Sequence, residues 1–186
     1  MVGHDILHGQ TLSSEIVPAL CVPSVAFVRR PSSLQTMISF KTPDLSQHPP
    51  RSPRIRLGGY VVLPRILDKA RAQLGGKTGL YRWNNPLDQR LWLFTGIKPD
   101  EFLAAVATGK SDTEMLEWVN ANTQPKRQLW EIHAWSHWLE TLAPGDAGRH
   151  TIFAEEITKH CPNRDDIRLL FDRLDMDDYV TFGGAA

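Results

Sequence analysis

Arg65, Asp68 and Arg71 stand three residues apart. On a helix that spacing lets one carboxylate pair with either guanidinium. Asp88 and Arg90 bring further charge just after Asn85-Pro86. Forked guanidinium groups held beside carboxylates can grip an anion through paired N–H bonds. These five residues are therefore the candidate ligand-binding set. The plainer reading is a solvated helix face, whose ion pairs are each worth a few tenths of a kcal/mol, roughly.

A second constellation is His133 and His137, four apart, with Glu140 beyond them. Both imidazoles then share one helix face, as a metal-binding pair requires. Ala134 follows His133, where a zinc protease motif would carry glutamate. Ile132, Trp135, Leu139 and Leu142 project onto the opposite, core-facing stripe, so a polar outer face accounts for both histidines. His150 or His160 would have to be folded in to complete a site. The expectation is no metal and no cofactor, with His133 and His137 as the weaker alternative. Gly75-Gly-Lys-Thr78 imitates part of a phosphate loop, but position 71 is Arg where the motif needs Gly, and a helix, not a strand, precedes it. It reads as a helix stop. Neither a Ser-His-Asp order, a nucleophile elbow, paired catalytic carboxylates nor a zinc-binding cysteine set is legible.

The elements that must carry these residues are helical. Over 59–74, Tyr60, Leu63, Ile66, Leu67, Ala70 and Leu74 fall on one stripe at 100° per residue, with Arg65, Asp68, Lys69 and Ala72 opposite. Gly75-Gly76 ends that helix. Asn85 caps a helix over 86–95 with Pro86 in its first turn and Gly96 as its stop. Pro99 opens 99–107, and Ser111-Asp-Thr-Glu114 is a capping box opening 112–122. A long helix over 126–141 follows Pro125. Helices over 149–160 and 164–174 complete the set, the last with Asn163 as its cap. No alternating run exceeds about four residues, so the fold class is all-α, a single bundle of about six to seven helices over 43–186. Trp92, Trp118 and Trp135 fit core faces; Trp83 and Trp130 are harder to place.

Pro43, Pro49, Pro50 and Pro53 keep the approach to the first helix extended. Ahead of it, residues 1–42 are expected to be a disordered tail or a misassigned start, with Met37 as the true beginning. The apolar stretch 16–28 is broken by Pro18 and Pro23 and has no Lys or Arg before it, which argues against a signal peptide.

Several strings carry a family resemblance. Pro49-Pro-Arg-Ser-Pro-Arg54, Leu57-Gly-Gly-Tyr-Val-Val-Leu-Pro-Arg-Ile-Leu-Asp-Lys69, Asn85-Pro-Leu-Asp-Gln89, Phe94-Thr-Gly-Ile97, Ala107-Thr-Gly-Lys-Ser-Asp112 and Asp177-Asp-Tyr-Val-Thr-Phe-Gly-Gly184 recur in this order. From about residue 44 onward the chain resembles the bacterial family called domain of unknown function 5069. The resemblance implies a single domain and brings no activity, cofactor or catalytic residue with it.

Lys plus Arg equals Asp plus Glu at 21 each. Such a balance gives no overall field to draw nucleic acid or an anionic membrane. The charge is segregated, however. Residues 51–82 hold eight basic groups against Asp68 alone, and residues 155–178 hold eight carboxylates against four basic groups. The basic segment at Arg51, Arg54 and Arg56 is therefore expected to dock on Asp172, Asp175, Asp177 and Asp178. Two cysteines, Cys21 and Cys161, make no disulfide framework, and a reducing cytoplasm is the natural setting. The functional expectation is a non-enzymatic module for a small anionic ligand or an acidic protein partner. The alternative is a small enzyme using acid–base or metal chemistry from Asp68, Asp88, His133 and His137.

Overall fold

Two glycines reverse the chain just ahead of the first helix. Leu57 and Tyr60 exchange both backbone N–H···O bonds at 3.0 Å. Gly58 and Gly59, at φ 57° and 88°, fill the two central positions. Positive φ at both is a turn that glycine makes without strain. Val62, also at φ 58°, precedes the helix. A β-branched residue there costs on the order of 1–3 kcal/mol, and Val61, Val62 and Leu63 are all fully buried against it. Helix α1 therefore begins at Leu63 and not at 59, running Leu63–Leu74 with Pro64 in its first turn. The structure, a computed structural model, describes residues 42–184, all within one contact unit, Ile38–Ala186. The expectation for residues 1–42, Cys21 included, lies outside the described residues apart from Thr42.

Six further helices follow among the described residues: α2 Pro86–Thr95, α3 Pro99–Ala107, α4 Asp112–Asn122, α5 Leu129–Glu140, α6 Ala147–His160 and α7 Leu170–Thr181. No sheet forms among them, and Leu57–Tyr60 is an isolated bridge. The fold is all-α. Helices α2 to α4 have the predicted bounds because their signals are local. Asn85 Oδ1 accepts from the N–H groups of Leu87 and Asp88, both at 3.0 Å. Ser111 Oγ accepts from Glu114 N–H, whose carboxylate accepts in return from Ser111 N–H. Gly96 closes α2 at φ 73°.

The last helix departs from expectation. It does not start at 164 under an Asn163 cap. Residues 162–169 are non-helical, and Arg164 turns onto Asp166 at 2.6 Å. The starting signal is Asp172, in the first turn, whose Oδ2 accepts from the N–H groups of Arg168 and Leu169. A carboxylate there also meets the positive end of the helix dipole.

The core gathers around α1. Tyr60, Ile66, Leu67 and Ala70 pack with Leu91 and Trp92 of α2, Phe102 and Val106 of α3, Met115 and Val119 of α4, Ile132 and Leu139 of α5, and Phe171 of α7. Trp83, Trp118 and Trp135 join this core as partly buried rings, while Trp130 is exposed. A smaller cluster, Phe153, Cys161, Ile167 and Met176, fixes α6 on α7. Helix α1 has no solvated face. Arg65, Lys69 and Ala72, expected outside, are 4%, 1% and 0% exposed, whereas Leu74, expected inside, is 48% exposed. Charge on a helix stripe is not by itself a mark of the surface: Arg65 and Lys69 pair with buried Asp178 and Asp88, while Asp68 and Arg71 pair with half-buried Arg51 and Asp112.

The Gly58-Gly59 turn is fastened to α5 by one hydroxyl. Ser136 Oγ donates to Gly59 O at 2.8 Å and accepts from Val61 N–H at 3.2 Å. Ser136→Ala should lower stability by about 1–3 kcal/mol, since a buried N–H and C=O lose their partner. Urea unfolding should show this as a lower midpoint at unchanged slope.

Candidate functional site

The proline-rich segment holds three arginines, and each reaches a different part of the bundle. Arg51 grips Asp68 through Nε (2.9 Å) and Nη2 (2.8 Å) and reaches Asp112 through Nη1 at 2.5 Å. Arg54 bonds Asp172 and, at 3.2 Å, Asp175. Arg56 takes Glu140 with two bonds, and its Nη1 lies 3.3 Å from His133 Nδ1. The expected docking on the acidic end is thus carried by Arg54, while Arg51 and Arg56 clamp α1, α4 and α5. Arg71 also reaches Asp112, at 2.7 Å. Burial pushes the Asp112 carboxyl up, but the bonds from Arg51 and Arg71 outweigh it and hold the group below its ordinary value.

Two ion pairs lie deeper. Arg65 meets Asp178 with two bonds, 2.6 and 3.0 Å, and also donates to Arg51 O at 3.1 Å. Tyr81 donates to the same Asp178 at 2.8 Å and places its ring under the Arg65 guanidinium. Burial, reinforced by the Asp178 charge, raises the Tyr81 phenol well above its usual range, so it stays a donor. One turn along α1, Lys69 Nζ sits 2.5 and 2.7 Å from the two oxygens of Asp88. Asp88 also accepts from Asn85 N–H, so this ion pair is built into the start of α2. Burial lowers the Lys69 ammonium and raises the Asp88 carboxyl, against the attraction between the two.

Above these pairs opens a cleft of about 420 Å³. Its walls are α1 and α2 on one side, α6 and α7 on the other, and the 142–145 loop at one end. Five cationic residues line it: Arg65, Lys69, Arg90, Arg149 and Arg173. Among the described residues lining it there is no carboxylate. Leu142, Ile152, Phe153, Leu170 and Leu174 make the remainder largely apolar. Arg173 is held from behind by Glu156, and Arg149 reaches Asp146 through Nε at 3.2 Å. Arg90 stacks over the Trp138 ring at 5.5 Å and has no carboxylate within salt-bridge distance among the described residues.

Of the sequence candidates, Arg65 and Arg90 line this cleft. Asp88 lies beneath it through Lys69, while Asp68 and Arg71 belong to the Arg51–Asp112 network. His133 and His137 are exposed on α5, and neither lines the cleft. Among the described residues no group of three or more His, Cys, Asp or Glu is placed to hold a metal. Sequence reasoning missed Lys69, Arg149 and Arg173. Lys69 looked like a surface residue. The two arginines lie on helices brought to the cleft only by tertiary packing.

Among the described residues, seven helices with a cationic cleft between two pairs of them define a small all-α domain. A family model described as Domain of unknown function (DUF5069) matches residues 47–180, and the chain belongs to that family. No curated protein matches it. No helix among the described residues is long and apolar enough to cross a membrane.

Proposed function

We propose that this domain is a non-enzymatic binding module for a small anionic ligand with an apolar body. The supporting observation is the lining of the cleft, five cationic residues and no carboxylate around an apolar floor. Cations already paired to a carboxylate add little net attraction. Arg90 lies over the Trp138 ring without a carboxylate in reach among the described residues, and Arg149 makes no side-chain guanidinium hydrogen bond among the described residues, so both keep donors for a ligand. Two such forks suit one carboxylate or phosphate group. The apolar body would lie on Leu142, Ile152, Phe153 and Leu174. A cytoplasmic setting agrees with the free, buried thiol of Cys161.

Titration with octanoate, followed by calorimetry, tests this. Arg90→Ala with Arg149→Ala should weaken binding about tenfold or more, the scale of losing charge-assisted bonds. Octanol should bind more weakly than octanoate, and raising salt from about 50 to about 300 mM should weaken octanoate further. Equal affinity for octanol and octanoate would overturn the assignment.

A second reading, an acidic protein partner, draws on another surface. Leu93, Phe94, Trp135 and Trp138 line a shallow groove between α2 and α5, flanked by Arg90 and by Arg127, which lies 4.7 Å over the Phe94 ring. Exposed tryptophan beside arginine is the composition of binding hot spots.

A further inference from the structure

Lys69 is the one amine in the cleft wall, and its environment differs from that of the surface lysines. Its two hydrogen bonds both run to one carboxylate, Asp88, at 2.5 and 2.7 Å. A lysine ammonium has three donors, so its third position has no protein partner among the described residues. Above it lies the cleft; beside it lies the Arg65 guanidinium, itself committed to Asp178. We propose that Lys69 is the amine of a covalent subsite, forming a reversible imine with a carbonyl compound that carries a carboxylate or phosphate. This rests on the anion-binding reading of the cleft and adds to it a bond to the ligand.

The chemistry balances within the residues present. Lys69 passes one proton to Asp88, leaving a neutral amine with a free electron pair. That pair attacks the carbonyl carbon, the C–N bond forms, and the carbonyl π pair goes to oxygen, which takes a proton from the attacking nitrogen. Asp88 then returns its proton to the resulting hydroxyl, which leaves as water while the nitrogen electron pair forms the C=N bond. The sum is ammonium plus carbonyl to protonated imine plus water, with Asp88 a carboxylate again, and no oxidant is needed. Burial disfavours the charged forms of both Lys69 and Asp88 and so favours the first step, against the attraction and hydrogen bonds between the two; the Arg65 charge acts against the ammonium but equally for the Asp88 carboxylate. A desolvated lysine next to another cation is a recognised form of amine nucleophile. Arg90 and Arg149 would hold the anionic group while the carbonyl reaches inward.

The full chain is incubated with glyoxylate, reduced with cyanoborohydride and mapped by peptide mass. The expected result is about one adduct per chain, on Lys69, formed about tenfold or more in preference to the exposed Lys77 and Lys98, as an activated amine requires. Octanoate, which cannot form an imine, should suppress it. Lys69→Arg should abolish the adduct; the octanoate competition gives the same answer on the native protein if that variant fails to fold. Adducts confined to Lys77, Lys98 and other surface lysines would overturn the proposal. If octanoate still binds in a manner dependent on Arg90 while Lys69 stays unmodified, the imine is wrong and the anion-binding cleft stands. If octanoate neither binds nor protects, the cleft reading itself falls.

Discussion

Asp178→Ala is expected to lower the unfolding free energy by about 3–5 kcal/mol, the loss that follows when one partner of a buried ion pair is removed. Arg65 and Asp178 are 4% and 6% exposed, and Asp178 accepts from Arg65 twice and from Tyr81 once. Without the carboxylate, Arg65 keeps its charge, because a guanidinium does not shed its proton inside a protein. Its remaining bond to Arg51 O cannot compensate a full charge. Asp88→Asn should be milder although Lys69–Asp88 is buried more completely. Lysine can give up its proton and remain as a neutral amine. Thermal unfolding of both variants checks the order. For a domain of this size the Asp178→Ala shift would be roughly 10–20 °C. A larger loss for Asp88→Asn than for Asp178→Ala would contradict the argument.

Phe102→Ala should cost about 3–5 kcal/mol, the range for emptying a buried aromatic site. Its ring is fully buried in the main core. It meets Trp92 at 5.0 Å, Trp83 at 6.1 Å and Trp118 at 6.1 Å. Three large rings on different elements cannot all move into the void, so much of the cavity should remain. Phe102→Leu fills part of the space and should recover a good share of the loss. Chemical denaturation with tryptophan fluorescence as the probe reads both changes. An alanine variant within about 1 kcal/mol of the native protein would mean that the rings collapse together and that the site is soft.

Much of this architecture is legible in the sequence, and what is legible is local. The Asn85-Pro86 start, the Gly96 stop, the Pro99 start and the Ser111–Glu114 box act within a few residues, and α2, α3 and α4 follow them. Where the deciding contact is remote, the pattern misleads. Arg65 reads as surface because its partner Asp178 is 113 residues away, and Lys69 because Asp88 is on the next helix. Helix α7 was displaced for a related reason: Asp172 caps it from within the first turn, while Asn163 looked like the stronger signal. The basic and acidic segments were seen as complementary, and Arg54 joins them. The cleft itself was not foreseeable, because Arg149 on α6 and Arg173 on α7 are brought into one cleft with Arg90 of α2 only by tertiary packing. Arg90 was singled out for its place next to Asp88, and its value to the site instead comes from having no carboxylate within salt-bridge distance among the described residues.

The most direct test of the anion-binding cleft is to see a ligand in it. A crystal structure with 4-iodobenzoate would locate the iodine by its anomalous signal and hence fix the orientation of the ring. The account predicts the carboxylate within about 2.7–3.2 Å of guanidinium nitrogens of Arg90 or Arg149. The iodinated ring should lie against Leu142, Ile152, Phe153 and Leu174. An iodine signal confined to another part of the surface, with the cleft empty at saturating ligand, would contradict it.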